Sequence, residues 1–151
     1  LQADAVLQGA MDQAKASGRK VFLHFGAPWC GWCHRLEDWM ALERVSGLLG
    51  KGFVDVKIDE DRMLGAKEVE SKFGMPKNSG IPWFVILDPA TGKTISTSTG
   101  PKGNIGYPAE EAEIAHFMSM LEGAHTALTP AELEAIKASL VEAAAKIKGS
   151  H

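Results

Sequence analysis

Cysteine is scarce in this chain: 151 residues carry two, together with a single tyrosine. A pair of cysteines cannot build the disulfide framework of a small secreted scaffold. No apolar run approaches the ~18–20 residues that a membrane-spanning helix needs, so no membrane span is expected. Basic excess is missing too. Sixteen Lys and Arg stand against nineteen Asp and Glu, a formal charge of -3, so the basic footprint of a nucleic-acid partner is lacking. Internal repeats and low-complexity blocks do not occur, which removes solenoids and long disordered tails. The chain opens on Leu1 with no charged-then-apolar leader, as expected of a mature exported protein or a trimmed one. Residues 149–151 are set aside as a candidate tag remnant.

What is there is ordinary in amount and informative in order. An apolar content of 45% with 23% charged residues suits one globular domain with one core, expected over residues 1–148. Ala3, Leu7, Ala10, Met11 and Ala14 recur at helical spacing, and Ser17-Gly18 stops that helix. Residues 21–25 form a nearly continuous apolar run, as expected of a strand buried on both faces. Ala27-Pro28-Trp29 breaks it, and a helical pattern follows from Cys30 with Leu36, Trp39 and Met40 on one face. Val54, Val56 and Ile58 alternate with charged residues as a strand does. A helix is expected over 62–73, a breaker-rich loop over 74–80 and a second continuous strand over 83–87. Asp88-Pro89-Ala90-Thr91-Gly92 turns the chain into a polar strand, 93–99, fit for a sheet edge.

Residues 100–108 read as loop, and two helices end the chain. Ile114, Phe117, Met118 and Leu121 mark the first. Thr129-Pro130-Ala131-Glu132 opens the second with a capping box, and Leu133, Ile136, Leu140 and Ile147 give it an apolar stripe expected to dock on the domain. Strands joined through a helix should be parallel and the last two, joined by a tight turn, antiparallel. The expected class is α/β: a mixed four-stranded sheet sandwiched by helices, with an appended C-terminal helix over 129–148.

Trp29-Cys30-Gly31-Trp32-Cys33 is the segment that carries chemistry. A disulfide between Cys30 and Cys33 closes almost no loop, so it would restrain the unfolded chain little, and a structural staple is a poor reading of it. A buried strand feeds a short loop, and Cys30 falls at a helix N-terminus, where unpaired N–H groups and the helix dipole favour a thiolate. Cys33 lies one turn on, within reach of a mixed disulfide formed at Cys30. Cys30 is therefore the candidate nucleophile and Cys33 the resolving thiol.

Phe25-Gly26-Ala27-Pro28-Trp29-Cys30-Gly31-Trp32-Cys33 and, further on, Gly80-Ile81-Pro82 resemble two motifs of the thioredoxin superfamily, in the same order. The resemblance covers residues 20–121 and implies a thiol–disulfide oxidoreductase without a bound cofactor, exchanging with protein or small-thiol substrates and an unidentified redox partner. It implies a cis bond before Pro82 and a substrate groove bordered by Pro82, with the Ile81 backbone free to pair with a substrate strand; Trp83, beside Pro82 in the sequence, is a further candidate for that groove. Trp29, Gly31, Trp32, His24 and His34 would support the cysteines. His24 stands where thioredoxin has a buried aspartate, and Gly-Trp replaces Gly-Pro between the cysteines. Export is frequent in the family, which implies an extracytoplasmic space such as a bacterial periplasm.

Other readings of these residues exist. Cys30-Gly31-Trp32-Cys33-His34 also fits the pattern of covalent c-type haem attachment, which would make the chain an electron carrier. A redox-inactive binding module of the same fold is a second alternative. Zinc is disfavoured, because two cysteines and a histidine fall short of the usual four ligands. Trp39 is expected in the core, and His116, His125 and His151 in solvent.

Overall fold

The computed structural model describes residues 1–149. Ser150 and His151, part of the segment set aside above, lie outside them. Helix α1 (Ala3–Ser17) ends at Gly18, whose left-handed φ of 69° lets the chain reverse into strand β1 (Lys20–Gly26). Helices α2 (Gly31–Ala41) and α3 (Glu43–Leu49) lead to strand β2 (Phe53–Asp59), and helix α4 (Ala66–Lys72) leads to strand β3 (Trp83–Leu87). Strand β4 (Thr94–Thr97) follows, then a two-residue pair, β5 (Thr99–Gly100) and β6 (Gly103–Asn104). Helices α5 (Glu111–Gly123) and α6 (Pro130–Gly149) end the described chain.

The main sheet has the order β2-β1-β3-β4. β1 runs parallel to β2 in the register Lys20↔Phe53 to Gly26↔Asp59, and antiparallel to β3 with Phe25 opposite Trp83. The two mostly apolar runs, β1 and β3, are thus the central strands, and the polar β4 is an edge. Strand alternation divides the interior in two. Phe22, Phe84 and Ile86 face α2, α3, α5 and α6, where Trp39 packs edge-on to Phe117. Val21, Leu23, Phe25, Trp83 and Val85 face α1 and α4.

The structure departs from the sequence-based expectation in three places. The helical stretch after Cys30 is two helices, because Leu42 leaves the helical region at φ -55°, ψ 134° and restarts the chain as α3. That turn lets Val45 and Leu49 reach the core. The helix expected from residue 62 begins only at Ala66. Asp59 Oδ1 accepts from the N–H groups of Asp61 (2.9 Å) and Arg62 (3.0 Å), closing a side-chain turn where helical bonds would otherwise form. The stretch expected as plain loop holds the β5–β6 pair. His116 is also not free in solvent; its Nε2 lies 2.9 Å from the Thr97 carbonyl oxygen.

Candidate active site

Cys30 is the N-cap of α2, with the extended backbone of that position (φ -86°, ψ 105°), and its Sγ accepts from the Cys33 N–H at 3.1 Å. Cys30 and Cys33 are joined as a disulfide, with Cα atoms 5.3 Å apart. The helix start therefore supplies the backbone donor that a Cys30 thiolate would use. Cys30 is only 6% exposed against 2% for Cys33, so it is less open than its helix-start position suggests. On one side Cys30 Sγ lies 3.6 Å from the Ile81 carbonyl oxygen, in the loop whose Ile81–Pro82 bond is cis. On the other side Cys33 rests on Gly26. A Cβ at position 26 would come within 3.3 Å of Cys33 Cβ and 3.4 Å of its Sγ, so glycine is what permits this approach.

The supporting residues divide. Trp29 is 70% exposed and its indole N–H donates to Asp61 Oδ2 at 2.9 Å. Gly31 begins α2. Trp32, half-exposed, lies against Tyr107 with ring centroids 5.8 Å apart, and the Arg35 guanidinium sits 5.2 Å from its ring centre. Burial holds the Tyr107 hydroxyl above its ordinary pKa, and Arg35 works against that shift. His34 Nε2 lies 2.8 Å from the Pro28 carbonyl oxygen, so the ring is directed at the active-site loop.

His24 is buried on the sheet face that α2 covers, and its Nε2 stands 2.8 Å from Asp55 Oδ1 without the alignment of a good hydrogen bond. Its ring is thus directed to the sheet edge. Lys57 lies close to the Gly26–Cys33 contact: its Cε is 3.5 Å from a Cβ position on Gly26 and its Nζ binds Glu37 Oε2 at 2.9 Å.

Trp83 does not line a groove. It is wholly buried, packs on Phe25 at 5.8 Å and donates its indole N–H to Thr99 Oγ1 at 2.9 Å. Strand parity explains the correction. Opposite Phe25, residue 83 faces α1 and α4, whereas Cys33 rests against Gly26 on the other face.

Sequence reasoning missed Asp61, Lys57, Tyr107, Ser98 and Asn104. Asn104 Nδ2 donates to the carbonyl oxygens of Gly80 (2.8 Å) and Pro82 (2.9 Å), and Ser98 supports it. No spacing rule flags a contact across twenty-four residues of turn and strand. Among the described residues no group of three or more His, Cys, Asp or Glu could hold a metal ion. No described helix is long and apolar enough to cross a membrane.

Comparison with known proteins agrees with this geometry. A model of the thioredoxin-like family matches residues 2–89. Human spermatogenesis-associated protein 20 is 32% identical over 77 residues, which are 50% of this chain and 10% of that protein. The chain thus spans only about a tenth of the length of the curated relatives it matches first. A disulphide isomerase from Xylella fastidiosa Temecula1 superposes with a TM-score of 0.65 at 25% identity, covering 81% of this chain and 92% of that one. A mutant thioredoxin from Halobacterium salinarum, at 21% identity and a TM-score of 0.52, shares the fold over 86% of this chain and 91% of its own. Sheet order, a cysteine pair at a helix start and a family match over more than half its length together place this chain in the thioredoxin-like family.

Proposed function

We propose that residues 1–148 act as one thiol–disulfide oxidoreductase domain on protein substrates, with Cys30 as nucleophile and Cys33 as resolving thiol. The observation that carries this is Cys30 Sγ at the start of α2, between the Cys33 N–H and the Ile81 carbonyl oxygen. In the reducing direction, the Cys30 thiolate attacks one sulfur of a substrate disulfide, forms a mixed disulfide and expels a substrate thiolate, which takes up a proton. Cys33, as thiolate, then attacks Cys30 Sγ, closes the internal disulfide and expels the second substrate thiolate. Two electrons pass from the pair to the substrate, and the reverse sequence oxidises a dithiol. The chemistry belongs to the sulfurs and needs no bound cofactor.

Direction depends on how well the reduced pair is stabilised. The Lys57 side chain approaches the Gly26–Cys33 contact, with its ammonium paired to Glu37. A nearby ammonium favours a thiolate, which makes a pair more oxidising, and its Glu37 partner offsets part of that effect. The isomerase named above, at 25% identity, supports the same leaning toward forming or reshuffling disulfides. An oxidising extracytoplasmic compartment such as a periplasm suits that task. Exchange with a disulfide-bonded peptide, followed by mass spectrometry, tests the proposal. Activity in the wild type and none in Cys30→Ser is expected, and full activity in Cys30→Ser would sink it.

A further inference from the structure

The loop that carries Ile81 and Pro82 is not held by its own residues alone. Residues 74–80 are rich in breakers, and Pro76, Lys77 and Asn78 are exposed. An unanchored loop of this kind costs about 1–2 kcal/mol per residue to order when a substrate binds. Asn104 supplies an anchor from β6. Both hydrogens of its amide are used, one toward the Gly80 carbonyl oxygen (2.8 Å) and one toward that of Pro82 (2.9 Å). The amide oxygen accepts from the Ser98 hydroxyl at 2.7 Å, and the Ser98 oxygen accepts from the Phe84 N–H at 2.9 Å.

The directions in this chain are not interchangeable. The Phe84 N–H can only donate, so Ser98 Oγ accepts there and sends its single proton to Asn104 Oδ1. Turning the amide over would set its oxygen against two carbonyl oxygens. Ser98 itself is fully buried, so its hydroxyl has no access to solvent. The Phe84 N–H thus fixes the Ser98 hydroxyl, Ser98 orients Asn104, and Asn104 holds the carbonyls on either side of Ile81. The carbonyl between them, that of Ile81, is the one left facing Cys30 Sγ at 3.6 Å.

We propose that Asn104 is a positioning residue for substrate recognition. Through Gly80 and Pro82 it fixes the Ile81 backbone beside Cys30, the surface on which an extended polypeptide disulfide would lie. This rests on the oxidoreductase reading of the cysteine pair and adds to it a division of labour. Asn104 governs binding of chain-like substrates, while the sulfur chemistry is independent of it. Preorganising a binding loop lowers the ordering cost of association, so its loss should weaken binding and leave the chemical step alone.

The test compares wild type, Asn104→Asp and Asn104→Ala, with Ser98→Ala as a milder variant in case either replacement folds poorly. Aspartate keeps the shape but replaces the donating NH2 group by one oxygen that faces two carbonyl oxygens. KM for a disulfide-bonded protein substrate should rise about tenfold in Asn104→Asp, as for loss of one or two net hydrogen bonds. Both kcat and the rate with dithiothreitol should stay within about twofold of wild type, since neither depends on loop binding. Amide hydrogen exchange over residues 77–81 should quicken in the same variants, a readout that needs no activity. Equal losses toward dithiothreitol and protein substrate would reduce Asn104 to a structural part and overturn the proposal. So would an unchanged KM in a folded Asn104→Asp. A wild-type disulfide inert to dithiothreitol would refute the oxidoreductase reading and the substrate role together, a result distinct from an active enzyme with unchanged KM.

Discussion

Cys30 and Cys33 share a helix turn but meet different neighbours, and the roles proposed for them rest on that difference. Cys33 is 2% exposed and rests against Gly26, while Cys30, at 6%, borders the loop at Ile81. Cys33→Ser should therefore accumulate mixed disulfides with substrate, and Cys30→Ser should not; mass spectrometry of the two variants reads this directly. Trapping by Cys30→Ser instead would reverse the assignment. Charge around the pair bears on its potential. His24 is turned to Asp55, and the Lys57 side chain lies close to the Gly26–Cys33 contact. The reduction potential is expected above the roughly −270 mV of thioredoxin. His24→Asp brings a carboxylate onto the sheet face that carries Cys33 and should lower the potential. Glutathione equilibration of both proteins checks this, and equal potentials would confine His24 to its contact with Asp55.

At the scale of elements, α6 is the part whose contribution can be isolated. Its first turn carries the full capping box: Thr129 N–H donates to Glu132 Oε1 at 3.0 Å and Glu132 N–H to Thr129 Oγ1 at 3.1 Å. Lys51 pairs with the same glutamate, and hydrogen bonding to it pulls the Glu132 carboxyl below its ordinary range. Ile136 and Leu140 are fully buried, and Trp39 donates its indole N–H to Ser139 Oγ at 3.0 Å. The helix is thus part of the core around Phe117 and Trp39 and not a loose tail. Leu140→Ala should cost about 2–5 kcal/mol, the usual range for a leucine cavity. For a chain of this size that lowers the melting temperature by about ten degrees. Val141, its neighbour, is 51% exposed, and Val141→Ala should stay within about 0.5 kcal/mol of wild type. Equal melting temperatures for the two variants would show that α6 does not contribute through this face.

For the molecule as a whole, one buried acid should shape stability against pH. Glu70 in α4 is pushed from 4.5 up to about 8, first by burial and then by the neighbouring Glu60, with Lys67 opposing. Its Oε2 has no hydrogen-bond partner among the described residues. Between those two values the folded chain keeps the proton and the unfolded chain gives it up. The native state binds more protons there, so stability falls as pH rises from 4.5 toward 8 and levels off above it. The contribution is fully present below the unfolded value and lost through the folded one. Glu70→Gln removes the titration and should flatten this part of the profile. Chemical denaturation from pH 5 to pH 9 makes the comparison, and parallel slopes for both proteins would contradict it.

Local chemistry alone determined much of this protein. The run at 21–25, apolar except for His24, reads as a central strand because neither of its faces is built for solvent, and β1 is central. The breakers after it, and cysteines spaced by one helical turn, placed Cys30 at the start of α2. The capping box at Thr129 and Glu132 marked where α6 begins. Those features depend on residues within a turn or two of one another, which a linear pattern records. Register and distant contact were decided only by the tertiary structure. Trp83 could be placed in a strand but not on a face, since a shift of one residue reverses every side chain, and pairing with Phe25 settles the choice. Gly26 beneath Cys33, Tyr107 against Trp32 and Asn104 on the Gly80 and Pro82 carbonyls join segments far apart in the chain. Such contacts arise from how strands pair and loops fold back, and no periodicity encodes them.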